Sequence, residues 1–254
     1  MLTAAEQAER CAAGLHAHWR TQCGYVAGGE VAEHDGLLVT ATRLPDETLN
    51  VAFAPDAVSD PAAALDWFEG WFRTRGLKPG IEVRVGEQPA LEALLAERGY
   101  SVVVRRPAMA LHPVSLPGVA VPRASVRAVG SDADLAAFQA IQAEVFAMTP
   151  EVTEAFLPRA AVETPGVTLL VGSYDGVDCA TSAVSVSAYG AGIVGVATLP
   201  AYRRRGLGRL VTAAAVHAGA GADLAWLYPS AMARRLYEGL GFRALDETQV
   251  WVSP

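Results

Sequence analysis

The apolar residues of this chain recur at two periods, and the alternation between them lays out a series of elements. Leu2, Ala5, Ala8, Ala12 and Leu15 fall near one face of a 3.6-residue helix, which predicts a helix over residues 3–20 closed by Gly24. From Tyr25 to Phe53 the period shortens to that of strands, expected at 26–31, 36–42 and 49–53 and separated by the turn pairs Asp35-Gly36 and Pro45-Asp46. Asp60-Pro61 offers an N-cap with proline at the first helical position, and Leu65, Phe68, Trp71 and Phe72 continue at helical spacing to a stop at Gly76. A strand over 81–85, a helix over 89–98, a break at Gly99-Tyr100 and a strand over 101–111 follow.

Pro113, Pro117, Gly118 and Pro122 then interrupt both periods, so the chain divides into residues 1–115, a linker over 116–123 and a second unit over 124–254. This unit opens with a strand over 125–128 and a helix capped by Asp132, with Leu135, Phe138, Ile141, Val145 and Phe146 at helical spacing. A second helix starts at Thr149-Pro150-Glu151 and runs to about Val162. Strands over 167–173, 179–187 and 193–199 come next, joined by turns at Asp175-Gly176 and Tyr189-Gly190. A glycine loop, a helix, a strand over 223–228, a helix over 231–240, Gly241-Phe242 and a last strand to Val252 complete the chain. Both units end in helix, strand, helix, Gly-aromatic and strand at similar spacing, the mark of a duplicated module.

Composition narrows the classes. With 52% hydrophobic and 19% charged residues there is material for packed cores and no disordered signature. The net charge of -7 argues against nucleic acid as a partner. No apolar run reaches the ~18–20 residues of a membrane helix, and the N-terminus lacks the regions of a secretory signal, so the cytoplasm is the expected compartment. Cys11, Cys23 and Cys179 are odd in number and without metal-like spacing, which suits free thiols.

Against this acidic background, residues 192–209 stand out as an apolar strand ending at Pro200, a basic loop closed by Gly206 and Gly208, and a helix from about Leu207. Glycine admits φ > 0 and close backbone approach, and the helix start offers unpaired N–H groups and a positive dipole end. Strand, glycine loop and helix together form an anion site. The corresponding stretch of the first half, Ala54–Asp60, has two aspartates and no glycine, so it is not expected to bind the same ligand.

The loop Arg203-Arg204-Arg205-Gly206-Leu207-Gly208, together with Pro200 before it and Ala233-Arg-Arg-Leu236-Tyr237-Glu238-Gly-Leu-Gly241-Phe242 after it, resembles the GNAT superfamily of acetyl-CoA dependent N-acetyltransferases. The motif-level resemblance spans about residues 124–252, and for the first half it rests on element order. It implies an α/β fold, in detail a mixed and mostly antiparallel sheet flanked by helices, in two GNAT-like modules of which the first is degenerate. A tandem with one worn copy is similar in architecture to mycothiol synthases.

The resemblance also implies roles. Backbone of Val196, Ala197 and Thr198 would pair with the pantetheine arm, freed from the ladder by a bulge. Backbone amides from Arg204 to Arg209 would hold the pyrophosphate of acetyl-CoA, with Arg203, Arg204, Arg205 and Arg209 adding charge around Gly206, Leu207 and Gly208. The Tyr237 hydroxyl would protonate the leaving thiolate. Tyr237 also lies on a core-facing stripe with Ala233, Leu236 and Leu240, where a plain core tyrosine would sit equally well. Ser230, at a position where the family often has asparagine, reads as an N-cap. A general base is not singled out: Glu144, Glu151 and Glu154 are candidates, a water-mediated base another, and surface carboxylates an equal reading. His217 reads as a half-buried histidine, and Trp67, Trp71 and Trp226 as core.

The function expected is acetyl transfer to an amine, of a small molecule because an acidic surface attracts a cation, with a protein or peptide amine as the other acceptor left open. The first module would wall the acceptor cleft or mediate association, as in a homodimer. A non-catalytic acyl-CoA sensor is the alternative. A P-loop is excluded by the missing lysine and hydroxyl.

Overall fold

The computed structural model describes residues 1–45, 47–78 and 80–253; the Pro45-Asp46 turn is in part outside them. The first half comprises α1 (Ala4–Tyr25), β1 (Glu30–His34), β2 (Leu37–Ala41), β3 (Asn50–Phe53), α2 (Pro61–Arg73), β4 (Gly80–Arg84), α3 (Pro89–Glu97) and β5 (Ser101–Leu111). The second comprises β6 (Ala124–Ala128), α4 (Asp132–Phe146), α5 (Pro150–Phe156), α6 (Arg159–Glu163), β7 (Val167–Tyr174), β8 (Val177–Ser187), β9 (Gly190–Thr198), α7 (Leu207–Ala218), β10 (Ala225–Leu227), α8 (Arg234–Glu238) and β11 (Arg243–Val252). The fold is a mixed, mostly antiparallel sheet flanked by helices.

Local chemistry explains most boundaries. Asp35 and Gly36 both have positive φ, as do Asp175 and Gly176, the backbone of a tight two-residue hairpin. Asp60 accepts from Ala63 N–H and Pro61 occupies the first turn of α2, as the sequence indicated. Several boundaries move. Helix α1 runs through Gly24 to Tyr25, and β1 starts later than expected. The cap of α4 is Ser131, in a reciprocal capping box with Asp134, and Asp132 is the first helical residue. The helix expected to reach Val162 breaks at Leu157, because Pro158 disfavours helical backbone in the residue before it. Helix α8 starts at Arg234, with Ala233 as its cap, so Ser230 does not cap it.

The eleven strands form one sheet in the order β1-β2-β3-β4-β11-β5-β10-β9-β8-β7-β6. The two halves are related part by part. Parallel pairing of β3 with β4 corresponds to that of β9 with β10. Tyr100 N–H donates to Leu95 O as Phe242 N–H donates to Tyr237 O, both at 3.0 Å, after the left-handed glycines Gly99 and Gly241. Their final strands, however, are exchanged: β11 lies between β4 and β5, and β5 between β11 and β10. Each half thus finishes the other's sheet. Residues 112–123, without helix or strand, lie against the second half, with Val114, Leu116 and Val119 packed on its core.

Packing follows the same division. Phe68, Phe72 and Leu95 centre one core, and Tyr237, Leu240 and Phe242 another. A third joins the halves, with Cys11 and Leu15 of α1, Phe53 of β3 and Trp226 of β10. Gly14 in α1 belongs here. A glycine inside a helix costs about 1 kcal/mol relative to alanine, but a Cβ at Gly14 would lie 2.4 Å from the Trp226 indole nitrogen. Trp67 and Trp71 are partly buried beside the first core, and all three cysteines are buried and free.

Candidate functional site

The site begins where β9 leaves its neighbour. Strand β9 pairs with β10 only at Ala191 and Gly192. Further along, its partner is β8 alone, with Thr181 opposite Ala197 and Ala180 opposite Thr198. Between Ala183 and Thr181 the register shifts, so Gly195 and Val196 together face one residue of β8. This is a β-bulge, and Gly195 has φ +58°. The backbone edge of Val196, Ala197 and Thr198 is therefore turned to a fork between β9 and β10, not to a paired strand. Side chains hold the bulge: Gln142 Nε2 donates to Gly195 O at 2.7 Å and to Thr181 Oγ1 at 2.6 Å, while Thr181 Oγ1 donates to Gly195 O at 3.0 Å. Gln142 is buried. The sequence reading passed over it, though its signal was present: a glutamine one turn beyond Phe138, beside Ile141 and Val145, on the apolar face of α4.

After β9, a single turn at Pro200–Tyr202 leads into the basic loop. Arg204 and Gly206 both have positive φ, and Gly206 is the N-cap of α7, which has no side-chain cap. The first N–H groups of α7, at Leu207, Gly208 and Arg209, have no acceptor among the described residues and share the positive helix end. Arg203, Arg204, Arg205 and Arg209 are all exposed. Two are oriented: Arg203 Nε donates to Thr198 O at 3.1 Å, and the Arg205 guanidinium lies 5.0 Å from the Tyr174 ring and 5.7 Å from that of Tyr202. Gly208 faces α8, where a Cβ would sit 2.8 Å from Leu236 Cδ1.

That contact brings α8 and Tyr237 against the loop helix. Tyr237 is 6% exposed and belongs to an apolar cluster on which Val196 packs, while Val196 also packs against the cluster of Leu207 and Val211. Burial pushes the Tyr237 pKa up to about 12. Its hydroxyl makes no hydrogen bond among the described residues. Fork, loop and tyrosine are thereby linked through Val196 and Leu236.

The other candidates are placed differently. Glu144, Glu151 and Glu154 are exposed and form no ion pair among the described residues. The Glu151 carboxyl is held below its usual range by its own backbone N–H and by Thr149. His217 is exposed, contrary to the half-buried reading; its Nε2 lies 2.8 Å from Leu116 O and ties residues 112–123 to α7. Ser230 is exposed.

The equivalent place in the first half is filled by the chain itself. The Asp35 carboxylate accepts from the N–H groups of Ser59, at 3.2 Å, and Asp60, at 2.8 Å, and Asp60 caps α2. Gln88 bridges the fork beyond β3 and β4, donating to Asp56 O at 2.8 Å and accepting from Val58 N–H at 3.4 Å. Carboxylates of the protein thus satisfy amides that would otherwise meet an anion.

Residues 165–244 match the family model described as an acetyltransferase (GNAT) domain. That segment is similar to a GNAT acetyltransferase domain. No curated protein matches it. Among solved structures, it is similar to a GCN5-related N-acetyltransferase from Kribbella flavida, with 26% identity, a TM-score of 0.77 and coverage of 97% of this chain and 95% of that one. A GCN5-related N-acetyltransferase from Sphaerobacter thermophilus shares the fold at 16% identity, TM-score 0.65, over 86% of this chain and 76% of that one. A tandem GNAT protein of the clavulanic acid biosynthesis pathway does so at 15% identity, TM-score 0.58, over 85% and 78%. The matched segment spans β7 to the start of β11 and contains the fork, the basic loop and Tyr237.

Proposed function

We propose that the second half of the chain transfers an acetyl group from acetyl-CoA to an amine of a small molecule. The observation that carries this reading is the fork of β9 and β10 continued directly into an uncapped, arginine-rich helix start, with Tyr237 in the apolar cluster beside Val196. An extended arm fits along the free edge of Val196–Thr198, and a pyrophosphate fits the amides of Leu207, Gly208 and Arg209. The amine nitrogen attacks the thioester carbon, the C–N bond forms, the C–S bond breaks, and the thiolate takes a proton. Tyr237 supplies that proton: with its pKa near 12 the hydroxyl stays protonated at neutral pH and serves as an acid, not a base. Solvent takes the amine proton, because the three candidate carboxylates are exposed and outside any ion pair among the described residues.

That exposure also favours a second reading, an acyl-CoA sensor without catalysis. The two separate in one experiment. Tyr237→Phe should leave acetyl-CoA affinity within about twofold and lower kcat by roughly 10²–10⁴, the usual contribution of a positioned acid. Undiminished turnover removes Tyr237 from the mechanism. A parent protein that binds acetyl-CoA yet turns over no amine in a broad panel is a sensor.

A further inference from the structure

A concavity lies away from the fork. It has a volume of about 820 Å³, within the range of about 300–1,000 Å³ usual for small-molecule sites, and is bounded by one face of α1, by β2, by Phe53–Ala57 and by β4. Only Tyr189, Tyr228 and Thr248 come from the second half, and no wall residue belongs to residues 190–209 or to α8. The strand exchange creates it, because β11 carries Thr248 in beside Glu82 of the first half.

Its deeper polar groups fall into two sets. Glu82 is satisfied, accepting from Thr248 Oγ1 at 2.6 Å and Arg106 at 2.7 Å, and Arg84 is paired with Asp246 at 2.6 Å. His16 and Tyr228, by contrast, have no hydrogen-bond partner for the imidazole nitrogens or the hydroxyl among the described residues. Burial lowers the His16 pKa to about 4, so the ring is neutral at pH 7 and offers an acceptor nitrogen. It stands 4.9 Å from the Phe53 ring. Nearer the mouth, Glu9 and Asp56 are exposed carboxylates without an ion pair among the described residues. Six carboxylates and two arginines line the cavity in all, and Arg20, the second arginine, is paired with Glu33.

The wall therefore presents uncompensated negative charge at the rim, aromatic faces within, and free acceptors at depth. An anion would meet like charge, and a purely apolar molecule would leave His16 and Tyr228 unpaired. We propose that this cavity binds a small organic cation, an aliphatic amine whose ammonium groups meet Glu9 and Asp56 and whose chain runs over Phe53 and Tyr228 toward His16. The Arg106 guanidinium already lies 5.3 Å from the centroid of the Tyr228 ring, so Tyr228 contributes its hydroxyl and Tyr189 is the aromatic face left for cation–π contact. The site needs no acyl donor and stands or falls apart from the transfer reaction.

Spermidine is a suitable probe, titrated calorimetrically at fixed ionic strength into the full chain without acetyl-CoA. Saturable one-to-one binding is expected, and glutamate should not bind. Glu9→Gln with Asp56→Asn should raise the Kd by about three- to thirtyfold, as the loss of two solvent-exposed charge contacts implies. Tyr228→Phe should weaken binding without changing net charge. A charge-matched control, Asp66→Asn with Glu97→Gln, on residues outside the cavity, should stay near the parent value. Absence of saturation, or an equal loss in the control, overturns the proposal, the latter because it would report only the net charge of the chain.

Discussion

Gln142→Leu tests the link between the bulge and the acyl-donor edge. The substitution nearly conserves volume and removes two hydrogen bonds, to Gly195 O and to Thr181 Oγ1, from a side chain that is 4% exposed. A buried hydrogen bond contributes about 0.5–1.5 kcal/mol net, so the pair is worth about 1–3 kcal/mol. Gly195 O keeps its bond from Thr181, which argues for the lower half of that range. For a protein of this size each kcal/mol corresponds to roughly 2–4 °C in Tm, so a fall of about 2–8 °C is expected for 1–2 kcal/mol. With the bulge released, β9 can regain regular pairing with β8, and the edge of Val196–Thr198 rotates away from the fork. Acetyl-CoA affinity, measured calorimetrically well below the new Tm, should therefore fall by about tenfold, equivalent to 1.4 kcal/mol of lost preorganisation. Gln142→Glu should behave similarly, because a carboxylate cannot donate. A variant with unchanged Tm and unchanged acetyl-CoA affinity would refute the claim that Gln142 holds the bulge for binding.

Two further outcomes follow from the same coordinates. Gly206→Ala forces a side chain into φ +84° and sets a Cβ 3.1 Å from Val121, so a cost of about 1–2 kcal/mol and a weaker acetyl-CoA complex are expected, read by thermal melts with and without acetyl-CoA. His16 and His18 have pKa values lowered to about 4 by burial. The folded state binds fewer protons than the unfolded state between the two pKa values. Stability from these residues is thus present above about pH 6.5 and is lost as pH falls toward 4. Urea midpoints across that window should drop, and His16→Gln with His18→Gln should flatten the slope.

Legibility in the sequence tracked the range of the interactions involved. The Asp35-Gly36 and Asp175-Gly176 turns, the Asp60-Pro61 helix start and the Gly206 loop were readable because a few adjacent residues settle their backbone. The α4 cap was misplaced by one residue, since Ser131 and Asp132 are both capping types and only the reciprocal bond to Asp134 decides between them. Leu157 escaped notice as a break because the apolar spacing continues across Pro158. Gln142 was hidden in an apolar stripe whose period is satisfied without it.

The sequence by itself determined a local difference between the halves: Gly206 among arginines against the aspartates of 54–60 differs in charge and in permitted φ, and adjacent residues settle both. Tertiary structure decided where the last strands go. β5 and β11 are the equivalent last strands of the two halves, each able to pair beside β4 or β10, and strand pairing through backbone hydrogen bonds carries no address in the sequence. Only the assembled sheet, with Trp226 against Gly14 and Thr248 against Glu82, selects the exchanged arrangement. That choice also makes the cavity beneath α1 from residues that neither half could bring together alone.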